Sequence, residues 1–555
     1  MTDKLVIVGG VAGGATAAAR ARRLNENAEI IVFERGPYIS FANCGLPYYI
    51  GEVIKKRDDL LVTDAGSFSE RYNVDVRSNS EVLDIDRQNR QVVVLNRETG
   101  EQYRESYGKL ILSPGAEPVR PPFEGADMAN VFTLRNIPDT DRIKAYVDEN
   151  KPERAVVVGG GFIGLEMIEN LAARGVQITM VEKMNQVMPP LDYEMAALVQ
   201  AHMIEKKVDC RFGDGVAALK QNGAAITVQT ESGHEIDCGM VILSIGVRPE
   251  TGLARKVGLD IGNSGGISVD DTLRTSDPHI YAVGDAVEIP HRITGKPVLI
   301  ALAGPANKQG RIAADNVMGR RSVFRGALGT NAVQVFEHTA ASVGLNEKTL
   351  KAENIAYTAA YTHSGSHAGY YPGAETMAVK LLFSPGTGRL LGAQAVGKVG
   401  VDKRIDVLAT AIYAGLTVFD LEELDLCYAP PYGSAKDPVN MAGYVAANLM
   451  KKDLETINWN AVAGLDPEKT VLLDVRSKIE VRTSGTIDGA VHIPVDELRD
   501  RMGELDKNKT YVAYCAVGMR SYLAYKILIQ HGFSAANLAG GFRTYLAATE
   551  KILLM

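Results

Sequence analysis

Two glycine-rich turns, each set between a short apolar run and a helical stretch, constrain this 555-residue chain more than any other feature. The first follows Lys4-Leu-Val-Ile-Val8 and reads Gly9-Gly10-Val11-Ala12-Gly13-Gly14. An alanine-rich helical stretch from Ala15 to Leu24 then leads to a second apolar run, Glu29 to Phe33, which ends at Glu34. Continuous apolar runs of this length mark strands buried on both faces of a parallel sheet. A strand, a glycine turn, a helix and an acid about 20 residues on make a dinucleotide-binding βαβ unit. The pyrophosphate would rest on the helix N-terminus, where unpaired N–H groups and the helix dipole favour an anion.

The second copy is cleaner. Arg154-Ala-Val-Val-Val158 leads into Gly159-Gly160-Gly161-Phe162-Ile163-Gly164, a helix through Arg174, and a strand from Gln177 to Val181 that ends at Glu182. Here GxGxxG is complete, whereas the first copy has Val11 at the third fingerprint position. Glu182 would accept hydrogen bonds from a ribose 2′-OH and repel a 2′-phosphate, which favours NADH over NADPH. Lys183 beside it weakens that preference and leaves NADPH possible. Two such folds in one chain imply one dinucleotide held and one visiting.

At about 150 residues per domain, the length suggests three to four domains. A formal net charge of -7 offers neither nucleic acid nor an anionic membrane an electrostatic partner, so any basic site must be local. Cys44, Cys210, Cys238, Cys427 and Cys515 form no CxxC pair, which argues against a disulfide framework and a thiolate metal site and for a reducing compartment. No metal site is expected. No run reaches the ~18 apolar residues of a membrane span. Lys4 to Ala19 resembles a signal peptide only superficially, because the first dinucleotide turn accounts for it. The chain is expected to be cytoplasmic.

Cys44 lies in Ser40-Phe-Ala-Asn-Cys44-Gly-Leu-Pro-Tyr48, ten residues past the acid of the first unit, and position 49 is Tyr. Further stretches are Lys109-Leu-Ile-Leu-Ser-Pro-Gly-Ala116, Met240-Val-Ile-Leu-Ser-Ile-Gly-Val-Arg-Pro249 and Asp277-Pro-His-Ile-Tyr-Ala-Val-Gly-Asp285-Ala286. Together they resemble the flavoprotein disulfide reductases, and the cysteine stretch is similar to the signature of the coenzyme A disulfide reductases. The resemblance implies an α/β fold with two Rossmann-like domains, for FAD and NAD, and an α+β dimerisation domain. The FAD domain is expected at 1–120 and 250–327, the NAD(P)H domain at 121–249 and the dimerisation domain at 328–448. Gly9, Gly10, Ala12, Gly13, Glu34, Arg35, Asn43, Val82, Ser113, Gly115 and Asp285 are the implied FAD contacts, with Asp285 on the ribityl chain. Gly159, Gly161, Phe162, Ile163, Gly164, Glu182, Lys183 and Gly246 are the implied nicotinamide-dinucleotide contacts.

Dithiol members of the superfamily pass electrons through CxxxxC, and Tyr49 removes that option here. A lone cysteine cycles through a sulfenic acid or a mixed disulfide. NADH peroxidases and oxidases share the single cysteine but carry a catalytic His in the first glycine turn, where this chain has Ala12. The resemblance therefore implies a Cys44–S–CoA mixed disulfide. The Cys44 thiolate is expected to be stabilised by the flavin and nearby helix dipoles. Tyr370 (or its neighbour Tyr371) and Tyr428 would reach the partner's Cys44 in a homodimer and protonate the leaving thiolate. Thr16, Arg20, Arg23, Ser40, Asn43, Arg71, Asn307 and Lys436 are the implied coenzyme A contacts; Asn307 stands where the family carries His.

A short linker at 449–461, holding the only tryptophan, Trp459, precedes a separate α/β unit at 462–555. Its strands are expected at Thr470–Arg476, Gly489–Pro494 and Thr510–Cys515, with a helix from Ser521. Cys515-Ala-Val-Gly-Met-Arg520 resembles the rhodanese loop CxxGxR, which implies a persulfide-carrying Cys515 with Arg520 adding charge. Gly485-Thr486 departs from the family's Gly-His. Cys210, Cys238 and Cys427 have no such setting and are expected to be structural. Two activities follow: reduction of coenzyme A disulfide, with coenzyme A persulfide or polysulfide reduction through Cys515 as the alternative. An NADH peroxidase or oxidase, or a non-catalytic redox sensor, is weaker.

Overall fold

In the computed structural model the structure describes residues 4–549, so the first three and last six residues of the outermost expected domains lie outside it. The described chain divides into two compact units, one of residues up to 183 with 214–329, the other of 184–213 with 330 onward. Among the described residues no helix is long and apolar enough to cross a membrane.

In the first unit, Lys4–Val8 lies in a parallel sheet between Glu29–Phe33 and Lys109–Leu112. Ile280–Ala282 and Asp75–Arg77 complete its edges. Strands distant in sequence thus share one sheet, and the Asp277–Ala286 stretch reaches the same end of it as the first glycine turn. Leu5, Val6, Ile7, Leu110 and Ile111 are all essentially inaccessible, as runs covered on both faces must be. The helix Ala12–Leu24 begins three residues earlier than expected, directly at the turn, and its small side chains Ala15, Ala17, Ala18 and Ala21 are buried. The second dinucleotide unit pairs Arg154–Val158 with Gln177–Glu182 and with Met240–Leu243, again in parallel. A short antiparallel ribbon joins Ala116–Pro118 to Val247–Pro249.

The second unit holds a five-stranded antiparallel sheet ordered 331–335, 338–344, 390–397, 376–383, 358–365. Residues 184–213, from the expected segment 121–249, cluster with this unit. Asp192 and Glu194, from that segment, and Glu347 surround the fully buried Lys380 Nζ; Asp192 is at 2.8 Å and Glu347 at 2.6 Å. A buried cation needs such partners, and breaking such a pair typically costs about 3–5 kcal/mol. The three carboxylates thus already hold a lysine.

The last α/β portion has a five-stranded sheet in which Thr510–Tyr514 lies between Thr470–Asp474 and Ser534–Leu538. The expected Gly489–Pro494 strand shortens to Val491–His492, paired with Leu473–Asp474. The expected polar linker is not free chain. Pro438–Met450 is helical through its last residue, and Thr456–Ile457 pairs in parallel with Asn537–Leu538. Unpaired edge amides at Asn537 and Ala539 supply the reason, since Glu455 and Ile457 carbonyls satisfy them.

Candidate active site

Each glycine turn closes on its own acid. Gly10 N–H donates to Glu34 Oε2 at 2.9 Å, and Gly160 N–H donates to Glu182 Oε2 at 2.6 Å. Gly9 and Gly159 both have left-handed backbones, with φ of 99° and 102°. A Cβ on Gly9 would come within 2.1 Å of Ser113 O, and one on Gly159 within 2.5 Å of Ser244 O. Only glycine tolerates both the conformation and the approach. A Cβ on Gly161, by contrast, would meet nothing within 4 Å, so the second cradle is open where a pyrophosphate has to lie.

The Cys44 segment is stitched to the first cradle. Ser40 N–H donates to Gly10 O at 2.9 Å, and Ser40 carries a positive φ of 47°. A non-glycine residue there is uncommon, and such strain gathers at functional sites. Cys44 lies in the 3-10 turn Asn43–Gly45, just before the helix Leu46–Ile50, and it is exposed. The chain raises its thiol pKa rather than lowering it: desolvation of the sulfur contributes most, then the carboxylates of Glu166 and Asp285. The expected stabilisation by a flavin would act against these contributions. Glu166 lies on the helix Phe162–Ala173, with its own carboxyl pushed up to about 7 by burial and by Glu169. Sequence reasoning missed Glu166, since no motif marks it.

Asp285 is half-buried, and its carboxyl is raised by burial against the pull of Arg135, with no hydrogen bond from the chain contributing. A partly buried carboxylate without a donor suits a polyol hydroxyl. Together with the Gly9 and Gly10 cradle and Glu34, this donor-hungry oxygen fits a flavin dinucleotide. Val82 lies in the core beside this sheet. Gly115 and Gly246 both carry positive φ, at 81° and 112°. Arg35 is already paired in two places with Glu250, at 2.6 and 2.8 Å. Lys183 is likewise paired with Glu231 at 2.8 Å.

Of the expected coenzyme A contacts, Thr16 and Asn307 are brought together, Thr16 Oγ1 donating to Asn307 Oδ1 at 2.5 Å. Arg20 is committed to Asp315 at 2.7 Å on the helix packed alongside, so its charge is largely answered within the chain. Arg23, Arg71 and Lys436 are exposed, and Asn43 is half-buried beside Cys44.

In the second unit the hydroxyls of Tyr370 and Tyr428 meet at 2.6 Å. Both rings are exposed, as is Tyr371. Their loops are tied together from beneath by a residue the sequence did not announce, Arg404. It pairs with Asp437 at 2.8 Å and donates to Ser366 O at 2.8 Å, while Ala368 N–H donates to Gly433 O at 2.8 Å.

Cys515 ends the strand Thr510–Tyr514 and is buried. Its Sγ accepts from Gly518 N–H at 3.2 Å and Ser521 Oγ at 3.5 Å, at the start of the helix Met519–Gln530. Backbone and hydroxyl donors at a helix N-terminus are what a thiolate or persulfide sulfur needs. Arg520 donates to both oxygens of Glu480, at 2.7 and 2.5 Å. Glu480 was not anticipated. Burial pushes the thiols of Cys210 and Cys238 up to about 12 and about 11, which makes them inert near neutrality. Cys427 is exposed beside Tyr428.

Residues 3–310 match the pyridine nucleotide-disulphide oxidoreductase family, residues 330–438 its dimerisation domain and residues 460–548 the rhodanese-like domain. A coenzyme A disulfide reductase of Staphylococcus haemolyticus (strain JCSC1435) is 38% identical over 447 residues, 80% of this chain and 100% of the relative. The crystal structure of reduced Bacillus anthracis CoADR-RHD shares 50% identity at a TM-score of 0.96, covering 99% of this chain and 98% of that one. A NAD-dependent persulfide reductase from A. fulgidus shares 39% identity at a TM-score of 0.92, covering 98% and 100%.

Proposed function

This chain belongs to the pyridine nucleotide-disulphide oxidoreductase family, and we propose that it reduces coenzyme A disulfide with electrons from NADH through a mixed disulfide on Cys44. The observation that carries this reading is the setting of Cys44. It is exposed, its segment is hydrogen-bonded to the first dinucleotide cradle through Ser40, and Tyr49 stands where a second cysteine would have to be. The similarity to the staphylococcal coenzyme A disulfide reductase supports the substrate. Our division of the chain is an FAD domain at 1–120 and 250–327, a NAD(P)H domain at 121–249, a dimerisation domain at 328–448 and a rhodanese domain from 462.

FAD, when bound, supplies two-electron transfer between a hydride donor and sulfur. Gly9, Gly10, Glu34 and Asp285 would hold it, and Gly159, Gly161 and Glu182 would hold NADH. The Cys44 thiolate attacks one sulfur of coenzyme A disulfide. A Cys44–S–S–CoA bond forms as the substrate's S–S bond breaks, and coenzyme A thiolate departs. Tyr370 and Tyr428 of one protomer lend a proton to the coenzyme A thiolate departing beside Cys44 of the partner subunit, since a phenol close to a departing thiolate can act as general acid. Two electrons then cleave the mixed disulfide, free the second coenzyme A and restore the Cys44 thiolate. Free cysteines throughout suit a reducing compartment, and we assign the enzyme to the cytoplasm.

One observation favours a second reading, reduction of coenzyme A persulfide. The Cys515 loop keeps its sulfur, the Gly518 amide on it and Arg520, and a disulfide reductase needs no sulfur carrier. Here Cys44 takes the outer sulfur of CoA–S–SH, coenzyme A thiolate leaves, and two electrons release hydrosulfide. The similarity to a NAD-dependent persulfide reductase supports it.

Intact mass of protein purified without added thiol, compared with Cys44→Ser, tests the mixed-disulfide cycle. A coenzyme A adduct on the wild type and none on the variant is expected. An unmodified cysteine, or one carrying only oxygen, would move the activity toward peroxide or oxygen. NADH oxidation rates with coenzyme A disulfide and with its persulfide then rank the two substrates.

A further inference from the structure

Arg520 is the one cation of the Cys515 loop, and it is not left open to ligands. Its two terminal nitrogens both donate to Glu480, a carboxylate forty positions earlier in sequence, in the fork-on-fork geometry that makes Arg–carboxylate pairs directional. Glu480 is itself fixed. It begins the helix Lys478–Ser484 as the third residue of a capping box, accepting from Ser477 N–H at 3.0 Å and Ser477 Oγ at 2.7 Å. The pair is partly exposed, with side chains 39% and 31% accessible, so it stands at the loop's mouth rather than in the core. Hydrogen bonding to Arg520 holds the Glu480 carboxyl at about 2, so it stays charged at every pH where the enzyme works.

We propose that Glu480 sets the donor class of the Cys515 loop, withholding the Arg520 fork from oxyanion donors so that the loop takes its sulfur from organic persulfides. The inference rests on the sulfur-carrier reading of Cys515. In either case the Cys515 thiolate attacks the donor's outer sulfur. With a persulfide R–S–SH, the Cys515–S bond forms, the donor S–S bond breaks, and R–S⁻ leaves with the electron pair. With thiosulfate the same attack expels sulfite. The reacting end of a persulfide is a bare sulfur, and the Gly518 amide and Ser521 hydroxyl suffice to receive it. Thiosulfate presents three sulfonate oxygens and two negative charges, which call for a free bidentate cation. Glu480 grips both ends of that cation's fork and adds a like charge, while Arg520 also hydrogen-bonds Cys515.

The test uses the full-length holoenzyme with cyanide as acceptor, and thiocyanate is measured with either thiosulfate or glutathione persulfide as donor. Cys515→Ser serves as the blank. Glu480→Gln removes the charge while keeping a residue that completes a capping box. Ser477→Ala disturbs the same helix start without touching the charge. The expected result is that Glu480→Gln raises the thiosulfate-to-persulfide ratio of kcat/KM about tenfold, mainly through the thiosulfate KM, as removal of a competing charge-assisted pair implies. Ser477→Ala leaves the ratio where it was. An unchanged ratio in Glu480→Gln, or an equal shift in Ser477→Ala, overturns the proposal. If wild type passes sulfur from neither donor above the Cys515→Ser blank, the carrier reading itself falls and this one with it.

Discussion

The hydroxyl oxygens of Tyr370 and Tyr428 lie 2.6 Å apart, close enough to share one proton between two phenols. That bond, more than the slight burial, raises the Tyr428 pKa.

Substituting either tyrosine by Phe should lower kcat/KM for coenzyme A disulfide about 10²-fold, the usual worth of a positioned general acid. Because the two act as one donor, the double variant should be little worse than either single one. Steady-state NADH oxidation with all three variants checks this; strictly additive losses would mean that the phenols work independently.

Arg404 should matter to both loops at once. It is 2% exposed and paired with Asp437 at 2.8 Å, so Arg404→Met leaves a buried carboxylate without its cation. A loss of about 3–5 kcal/mol in unfolding free energy is expected. Urea denaturation reads it, and Arg404→Met paired with Asp437→Asn should recover part of the loss.

Glu166 gives the Cys44 thiol a pH dependence of its own. Its carboxyl, at about 7 instead of 4.5, is neutral below that value and charged above it. Once charged, it raises the Cys44 pKa. Glu166→Gln should therefore move the pH profile of Cys44 alkylation by iodoacetamide to lower pH. Stability carries the matching sign. A raised carboxyl stabilises the fold fully below 4.5, and the contribution is lost as pH climbs through 7, so wild type should weaken over that window. Glu166→Gln should not. The full shift bounds the effect at about 3 kcal/mol, and thermal melts from pH 5 to pH 8 measure it.

Coenzyme choice should reside in Glu182. The Gly160 amide fixes it, and Glu231 engages Lys183. Glu182→Ala is expected to lower kcat/KM for NADH about tenfold, the worth of a lost charge-assisted hydrogen bond, and to raise the NADPH-to-NADH ratio. An unaltered ratio would place the discrimination elsewhere.

The strands that carry both glycine turns were legible to the residue. A run covered on both faces needs apolar side chains along its covered length, and a glycine in left-handed conformation stops it; past their leading cations, Lys4–Val8 and Arg154–Val158 obey both conditions. The paired acids came from the same local spacing, and Cys44 and Cys515 from stretches that resemble family signatures. Partnerships across the fold left no such trace. Arg20 reads as a free cation until Asp315, 295 positions later, packs beside it. Glu480 and Arg404 carry no motif, since what each does depends on a partner that only tertiary packing supplies. The strand inside the linker was hidden for a related reason. Thr456-Ile457 is too short to show periodicity and becomes a strand only because Asn537–Leu538 offers it an edge.

That edge pairing bears on how freely the last portion of the chain can move. With the helix Pro438–Met450 on one side and the strand Thr456–Ile457 on the other, only five residues separate two anchored elements. His363 and Thr544 add a hydrogen bond at 2.8 Å between the antiparallel sheet and the last described helix, and the rings of Tyr193 and Trp459 lie 6.1 Å apart nearby. A domain moored in this way is a fixed post and not a swinging arm.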